Sequence, residues 1–180
     1  METIECVKSR RSTRKYLDKP IEKETIQKIV EAASYAPSWK NTQVTRYTVV
    51  ENPAKKAELA NSAVLGFTPN SKTMTRCDKL IVQSVVTGVS GFEQDGSFST
   101  AMEDRWQTYD AGISAEAFCL AAYEYGVGTV ILGIIDPAKI AEIIDLPKDQ
   151  KVTSVICAGY PEGPRNAPPR KSADELLRFV

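Results

Sequence analysis

The chain has 180 residues, 42% of them hydrophobic and 26% charged, with 23 Lys and Arg against 23 Asp and Glu. This length suits one domain with a sizeable core, and zero net charge argues against a general binder of nucleic acids or membrane surfaces, because such proteins need a basic surface. The chain contains no histidine, which excludes a Ser-His-Asp or Cys-His nucleophile and a histidine-based zinc site, so any chemistry must come from carboxylates, from Lys or Tyr, or from a cofactor.

The first predicted element is a short helix over residues 3–9, with Ile4 and Val7 turned inward. Within residues 17–36, Pro20 ends an extended piece, and Glu22 and Glu24 favour the start of a longer helix. Its apolar side chains recur on one face, and Pro37 stops it. The next expected elements are a strand at 46–50, a helix at 53–63 and a strand at 80–86.

Residues 88–110 are acidic and contain several Gly, Ser and Thr. This composition predicts a polar excursion from the core, which we interpret as a solvated loop in preference to a metal site. The segment that follows, from Asp110 to Gly128, is apolar on nearly every side of a helical wheel. A helix of that kind is buried, so we expect it to be the central helix of the fold.

After the central helix the expected elements are a strand at 129–135, a helix capped by Asp136 and started by Pro137, a strand at 152–160 and an extended tail with a short helix or strand at its end. Helices and strands are thus mixed without strict β-α-β alternation, which predicts an α+β fold with a mostly antiparallel sheet around the central helix. Without an internal repeat or a dividing linker, residues 1–180 are expected to form a single domain.

Three features predict a cytoplasmic protein. The N-terminal sequence lacks the apolar core of a secretory signal, and no run of about 18 apolar residues indicates a membrane-spanning helix. The cysteines are far apart and include no Cys-x-x-Cys pair, which is typical of reduced, buried thiols. They are Cys6, Cys77, Cys119 and Cys157.

The sequence SRRSTRKY at residues 9–16 concentrates four cations and adds the hydroxyls of Ser12 and Thr13 between them. If this stretch is extended, Arg10, Ser12 and Arg14 point to the same side, where guanidinium groups and a hydroxyl would suit a phosphate. A cationic helix end facing the helix dipole is the alternative, and the spacing alone does not separate the two.

A second basic group lies near the other end of the chain. It consists of Arg165, Arg170 and Lys171. Together with the N-terminal run, it makes two basic zones in a chain whose net charge is zero. They would either converge on one anion or form independent solvated tails.

The sequence APSWKNTQ at residues 36–43 follows the second predicted helix. Asn41 and Gln43 carry amides that both donate and accept hydrogen bonds, which suits the mixed edge of a heterocycle, and Trp39 could stack on a ring. A polar turn between helix and strand is the alternative. Further along, Gly133 would let the backbone approach a flat ligand closely.

In their order and spacing these stretches resemble the FMN-dependent nitroreductase family. The shared features are an Arg-x-Ser-x-Arg run at 10–14, an Ala-Pro-Ser-x-x-Asn-x-Gln loop at 36–43, an Asp-x-Gly helix start at 110–112, a Gly-x-Gly turn before a strand that ends near Gly133, a Gly-Tyr-Pro strand end at 159–161 and an arginine in a Pro-rich tail at Arg170. The resemblance implies an α+β fold built as an intertwined homodimer, with FMN bound at the subunit interface.

The resemblance also implies which residues bind the cofactor. They are Arg10, Arg11, Ser12 and Arg14 at its phosphate, ribityl chain or pyrimidine edge, Pro37, Ser38, Trp39 and Asn41 toward the flavin of the partner subunit with Gln43 in the same loop, Ile131, Leu132 and Gly133 along one face of the ring, and Arg170 and Lys171 at the phosphate. Arg14 is the candidate for stabilising negative charge at the N1/O2 edge. Trp39 is bulkier than the small residue common at its position in the family, so it would narrow the pocket above the ring.

The implied function is an oxidoreductase in which NADH or NADPH reduces FMN and a nitroaromatic, quinone or related small molecule is reduced in turn, by ping-pong hydride transfer through the flavin. Because the cofactor performs the chemistry, the absence of histidine fits this function. Two alternatives stay open: a flavin-binding or flavin-sensing protein with little turnover, and a domain without flavin whose basic ends bind another phosphate ligand. No nucleic acid, membrane or metal is expected as a partner.

Overall fold

An antiparallel sheet and one long helix organise the fold. The computed structural model describes residues 2–164 and 166–180, so Arg165 of the second basic group lies outside the described residues. The helices are α1 (Thr3–Ser9), α2 (Lys23–Ala33), α3 (Pro53–Ser62), α4 (Thr68–Arg76), α5 (Arg105–Glu124), α6 (Pro137–Ile143) and α7 (Ala173–Leu176). The strands are β1 (Thr45–Val50), β2 (Lys79–Val86), β3 (Gly128–Leu132) and β4 (Gln150–Gly159), and a 3₁₀ turn spans Trp39–Asn41.

The strands lie in the order β1-β2-β4-β3, and every neighbouring pair is antiparallel. The register places Ile156 of β4 between Ile81 of β2 and Ile131 of β3. Helices cover both faces of this sheet. The sequences of its central strands are therefore nearly continuous apolar runs and do not alternate between apolar and polar residues. The predicted α+β class with an antiparallel sheet is confirmed.

Alternate residues of the central strands supply two separate cores. On one face, Leu80 and Val155 pack beneath α3, α4 and α6. On the other face, Ile81 packs with α2 and with Phe118 of α5, whose side chain is fully buried. Helices α1 and α2 pack on α5 in addition to the sheet, and Gly112 and Glu116 of α5 are exposed. None of the helices among the described residues has the length and apolar character needed to cross a membrane.

One expectation about the helices was wrong, and one helix was missed. Ile4 and Val7 of α1 are exposed, and the buried residue is Cys6, whose thiol approaches the carbonyl oxygen of Leu120 at 3.6 Å. A helix of two turns offers too few apolar positions to define its inner face. Helix α4 was not predicted at all, because Met74 is its one large apolar residue.

The C-terminal arm, residues 161–180, leaves the body of the molecule as the extended tail that was expected. Each described residue from 162 onward is exposed. Short helix α7 begins with a capping box between Ser172 and Glu175. Beyond it, Leu177 and Phe179 present their apolar side chains to solvent.

Candidate functional site

The N-terminal basic run begins at a helix end and continues as an extended segment. Helix α1 ends at Ser9, and the N–H of Thr13 donates to the carbonyl oxygen of Thr129 in β3 at 2.8 Å. Thr13 is buried, whereas Ser12 and Arg14 on either side of it are exposed. The side chains therefore alternate as expected of an extended stretch.

Gly128 makes this close approach of segment and strand possible. A Cβ atom built at Gly128 would lie 2.5 Å from Oγ1 of Thr13 and 2.9 Å from Cγ of Pro161. Any side chain at position 128 would therefore push the N-terminal run or the start of the C-terminal arm away from β3.

A cavity of about 450 Å³ lies between the N-terminal run and the C-terminal arm. We call it the arginine cavity, and its lining consists of Arg10, Arg11, Ser12, Arg14, Asn166, Pro168 and Arg170. The two ends of the chain thus meet at Arg170. Lys171 is exposed and lies outside the lining.

Two guanidinium groups in this cavity have unused donors. Nε of Arg10 and Nε of Arg11 are buried without a hydrogen-bond partner. Nε of Arg10 lies 3.4 Å from a carboxylate oxygen of Glu116, an ion pair that does not include a hydrogen bond. An unpaired buried donor is unfavourable, and phosphate oxygens are well suited to guanidinium groups. The residues present therefore fit a phosphate-bearing cofactor such as FMN.

The end of β3, the strand to which the N-terminal run is hydrogen-bonded, offers an open surface. The side chain of Ile131 is 43% exposed, whereas that of Leu132 is buried in the core. A Cβ atom at Gly133 would meet no atom within 4 Å. A flat ring could therefore be contacted by the Ile131 side chain and by the backbone of Leu132 and Gly133.

The 36–43 loop has an unusual backbone shape. Lys40, Asn41 and Gln43 have φ angles of 44°, 56° and 48°, in the left-handed region that non-glycine residues rarely adopt. The hydroxyl of Ser38 accepts a hydrogen bond from the N–H of Gln43 at 2.9 Å, which closes the loop on itself. The ring of Trp39 packs against Trp106 of α5, with 4.5 Å between their centroids.

This loop borders a second cavity of about 360 Å³ between α2, β1 and α5. Of the predicted cofactor residues, Pro37, Ser38 and Gln43 line it. None of the residues lining the arginine cavity does so. Within one chain, the predicted site residues are therefore spread over the two cavities, the 36–43 loop and the end of β3, while Trp39, Asn41 and Lys171 line neither cavity.

The phenol of Tyr47 also borders the second cavity. Burial raises the pKa of Tyr47, while the hydrogen bond between its hydroxyl and that of Ser114, at 2.7 Å, opposes this effect. The phenol is therefore protonated at neutral pH and joins β1 to α5.

Asp110 is the main site residue that the sequence did not reveal as such. Its carboxylate is 2% exposed and accepts hydrogen bonds from the N–H of Trp39 at 3.1 Å and from the hydroxyl of Ser90 at 2.7 Å. The available signal was the Asp-x-Gly pattern at 110–112, which marks a carboxylate in an otherwise apolar helical segment but does not indicate its partners. Across residues 2–164 and 166–180 we find no group of His, Cys, Asp or Glu that could hold a metal ion.

Comparison with known proteins places these features in a wider group. A model of the nitroreductase family matches residues 7–160 of the chain. An NADPH-flavin oxidoreductase of Vibrio harveyi is 29% identical over 182 residues, which cover 97% of this chain and 72% of that protein.

Two solved structures share the fold along nearly the whole chain. A nitroreductase family protein from Clostridium novyi NT superposes with a TM-score of 0.77 at 28% identity, covering 90% of this chain and 86% of that one. The NADPH:FMN oxidoreductase from Vibrio harveyi, solved in complex with NAD+, superposes with a TM-score of 0.81 at 25% identity, covering 98% of this chain and 76% of that one.

Proposed function

Because the chain belongs to the nitroreductase family, we propose that it is an FMN-dependent oxidoreductase that uses NADH or NADPH to reduce nitroaromatic, quinone or related electrophilic acceptors. The observation that carries this proposal is the arginine cavity, where Arg10, Arg11, Arg14 and Arg170 meet at a site with unused buried donors. The name of the Vibrio harveyi relative, an NADPH-flavin oxidoreductase, supports the same cofactors.

Bound FMN would supply the hydride-transfer chemistry, and the side chains would supply binding and charge. Arg10 and Arg170 would hold the phosphate, because their guanidinium groups can donate two parallel hydrogen bonds to its oxygens. Arg11, whose Nη1 donates to the carbonyl oxygens of Lys8 and Arg10, would add positive charge beside them. Arg14, which is exposed on the same extended segment, would face the electron-rich edge of the ring and stabilise negative charge there. No histidine is required for any of these roles.

We further propose that the site is completed in a homodimer. The 36–43 loop and the arginine cavity belong to different parts of one chain, so the loop would approach the flavin held by a partner copy. The C-terminal arm supports this assembly, because Phe179 is 92% and Leu176 is 70% exposed. Large exposed apolar side chains grouped in this way usually mark a surface that another chain covers.

The decisive experiment is an anaerobic titration of the purified protein, reconstituted with FMN, against NADH and NADPH. We expect stoichiometric binding of FMN and loss of its visible absorbance with at least one nicotinamide, followed by recovery when a quinone or nitroaromatic compound is added. Failure to bind FMN would contradict the proposal. Binding without bleaching by either nicotinamide would instead establish a flavin-binding protein with little turnover.

A further inference from the structure

The excursion, which the structure places at residues 87–104 between β2 and α5, is tied to the 36–43 loop by several contacts. Nζ of Lys40 lies 3.0 Å from Oε1 of Glu93 in the excursion. Ser90 of the excursion and Trp39 of the loop both donate hydrogen bonds to Asp110 of α5. The polar excursion predicted from composition therefore acts as more than a solvated connection.

Asp110 is the buried centre of these contacts. The N–H of Trp39 lies 3.1 Å from one carboxylate oxygen and 3.2 Å from the other, and the hydroxyl of Ser90 lies 2.7 Å from Oδ2. Ser90 is itself completely buried. A buried carboxylate requires donors, and hydrogen bonds to an ionised acceptor are about twice as strong as those between neutral groups. Asp110 therefore fixes the backbone position of Trp39 strongly.

The loop needs such a fixed point because its shape is locally unfavourable. Its three left-handed residues persist only if contacts from outside the loop determine their conformation. The carboxylate of Asp110 holds the start of the loop, and the ring of Trp106 supports Trp39. Without these contacts the loop would relax toward more common backbone conformations.

We propose that Asp110 is a positioning residue for the flavin site, which holds the 36–43 loop in the shape that contacts the ring, and that Ser90 orients its carboxylate. This inference rests on the proposed function, because the loop contacts FMN only if FMN is the cofactor. Asp110 touches neither cofactor nor substrate in this role. It acts through the backbone of Trp39, and the arginine cavity is formed independently of it.

The molecule contains its own reporter for the loop. Its two tryptophans are Trp39 in the loop and Trp106 in α5, and their rings pack at 4.5 Å. Two indoles at this separation couple their electronic transitions and give a paired signal of opposite signs in far-ultraviolet circular dichroism. This couplet reports the position of the loop in the absence of flavin, and Trp106→Phe defines its complete loss.

The test compares Asp110→Asn and Ser90→Ala with Gln83→Met. Asn keeps the size of the carboxylate but removes its charge, and Ser90→Ala removes one donor while the charge remains. Gln83 is buried and donates to the carbonyl oxygen of Ala111 in the same helix at 2.9 Å, so it is the matched control. Each variant is measured for the couplet as apoprotein, for the dissociation constant of FMN and for its thermal midpoint.

We expect Asp110→Asn to lose most of the couplet and to weaken FMN binding by about tenfold or more, as befits hydrogen bonds to a charged group. Ser90→Ala should change both quantities in the same direction by a smaller factor. Gln83→Met should lower the thermal midpoint but leave the couplet and the dissociation constant of FMN unchanged. If Asp110 served only the stability of the fold, Asp110→Asn would show this same pattern.

An unchanged couplet in Asp110→Asn would overturn the inference, and so would a lost couplet with unchanged FMN affinity. If Asp110→Asn does not fold, Ser90→Ala decides by the same two measurements. If the proposed function is wrong, the result differs: the wild-type protein binds no FMN, but Asp110→Asn still changes the couplet.

Discussion

The two regions that carry the predicted cofactor residues are held together by different forces. The arginine cavity is a meeting of cations from both ends of the chain, and its N-terminal wall is fixed to β3 by a main-chain hydrogen bond from Thr13. The 36–43 loop depends instead on a buried carboxylate, two indoles in tilted contact and an exposed ion pair. Ligand binding at the first region should follow charge and ionic strength, whereas the shape of the second should follow packing and hydrogen bonding.

The largest effect is expected from removing charge on both walls of the arginine cavity. The double substitution Arg10→Ala and Arg170→Ala should weaken FMN binding by about a hundredfold or more, because each guanidinium would donate charged hydrogen bonds to the phosphate. The measurement is fluorescence titration of apoprotein with FMN at low and high salt. The couplet of the two tryptophans should remain, since the loop does not depend on these arginines.

The control for this double variant removes the same charge elsewhere. Lys28 and Lys148 are exposed and line none of the cavities described above, so Lys28→Ala with Lys148→Ala should leave FMN affinity within about threefold. If the control weakens binding as much as the double arginine variant does, the effect is one of overall charge and the arginine cavity is not the phosphate site.

A second, smaller effect separates Gly128, which starts β3, from Gly133, which follows its last residue. Gly128→Ala should lower the free energy of unfolding by about 1–3 kcal/mol, because its methyl group would overlap Thr13. Gly133→Ala has open space around it, so it should change stability by less than about 0.5 kcal/mol yet weaken FMN binding, because the methyl group takes the place of the ring. Urea denaturation of apoproteins and FMN titration check both. Unchanged FMN affinity in Gly133→Ala would remove Gly133 from the ring face.

The same division explains what could be predicted from the sequence. Strands β2 and β4 and helices α3 and α6 carry their own local signals, such as the Asp136-Pro137 start of α6. The clustering of Arg10, Ser12 and Arg14 follows from short spacing on an extended segment. For these features, residues near each other in the chain contain the information.

The remaining features depend on partners that are distant in the chain. Asp110 meets Trp39 across 71 positions and Ser90 across 20, and no local pattern marks either contact. The buried side of α1 is decided by its packing on α5 through Cys6 rather than by its own sequence. The polar composition of α4 likewise conceals a helix whose Met74 is fully buried.

The second cavity, which the 36–43 loop borders and Tyr47 lines, should respond to alkaline pH. Tyr47→Phe should lower stability at neutral pH by about 0.5–1.5 kcal/mol through loss of the hydrogen bond to Ser114. Because burial raises the pKa of Tyr47 in the folded state, the phenol contributes fully below the ordinary tyrosine pKa of about 10 and its contribution is lost as pH rises above that value. The two proteins should therefore approach equal stability at high pH in urea denaturation. A difference in stability between the two proteins that widens with pH would contradict this role of Tyr47. The buried thiols are present in both proteins, so their contribution cancels in the comparison.

The smallest effect is expected from the exposed tie between loop and excursion. The side chains of Lys40 and Glu93 are 56% and 48% exposed, so solvent and salt screen their ion pair. Glu93→Gln should reduce the tryptophan couplet slightly and change FMN affinity by less than about threefold, and both changes should vanish at high salt. Asp110→Asn, whose contacts are buried, should show no such salt dependence. If Glu93→Gln moves the couplet as far as Asp110→Asn does, the loop is held by surface charge after all, and the contrast between an electrostatic cavity and a packed loop is wrong.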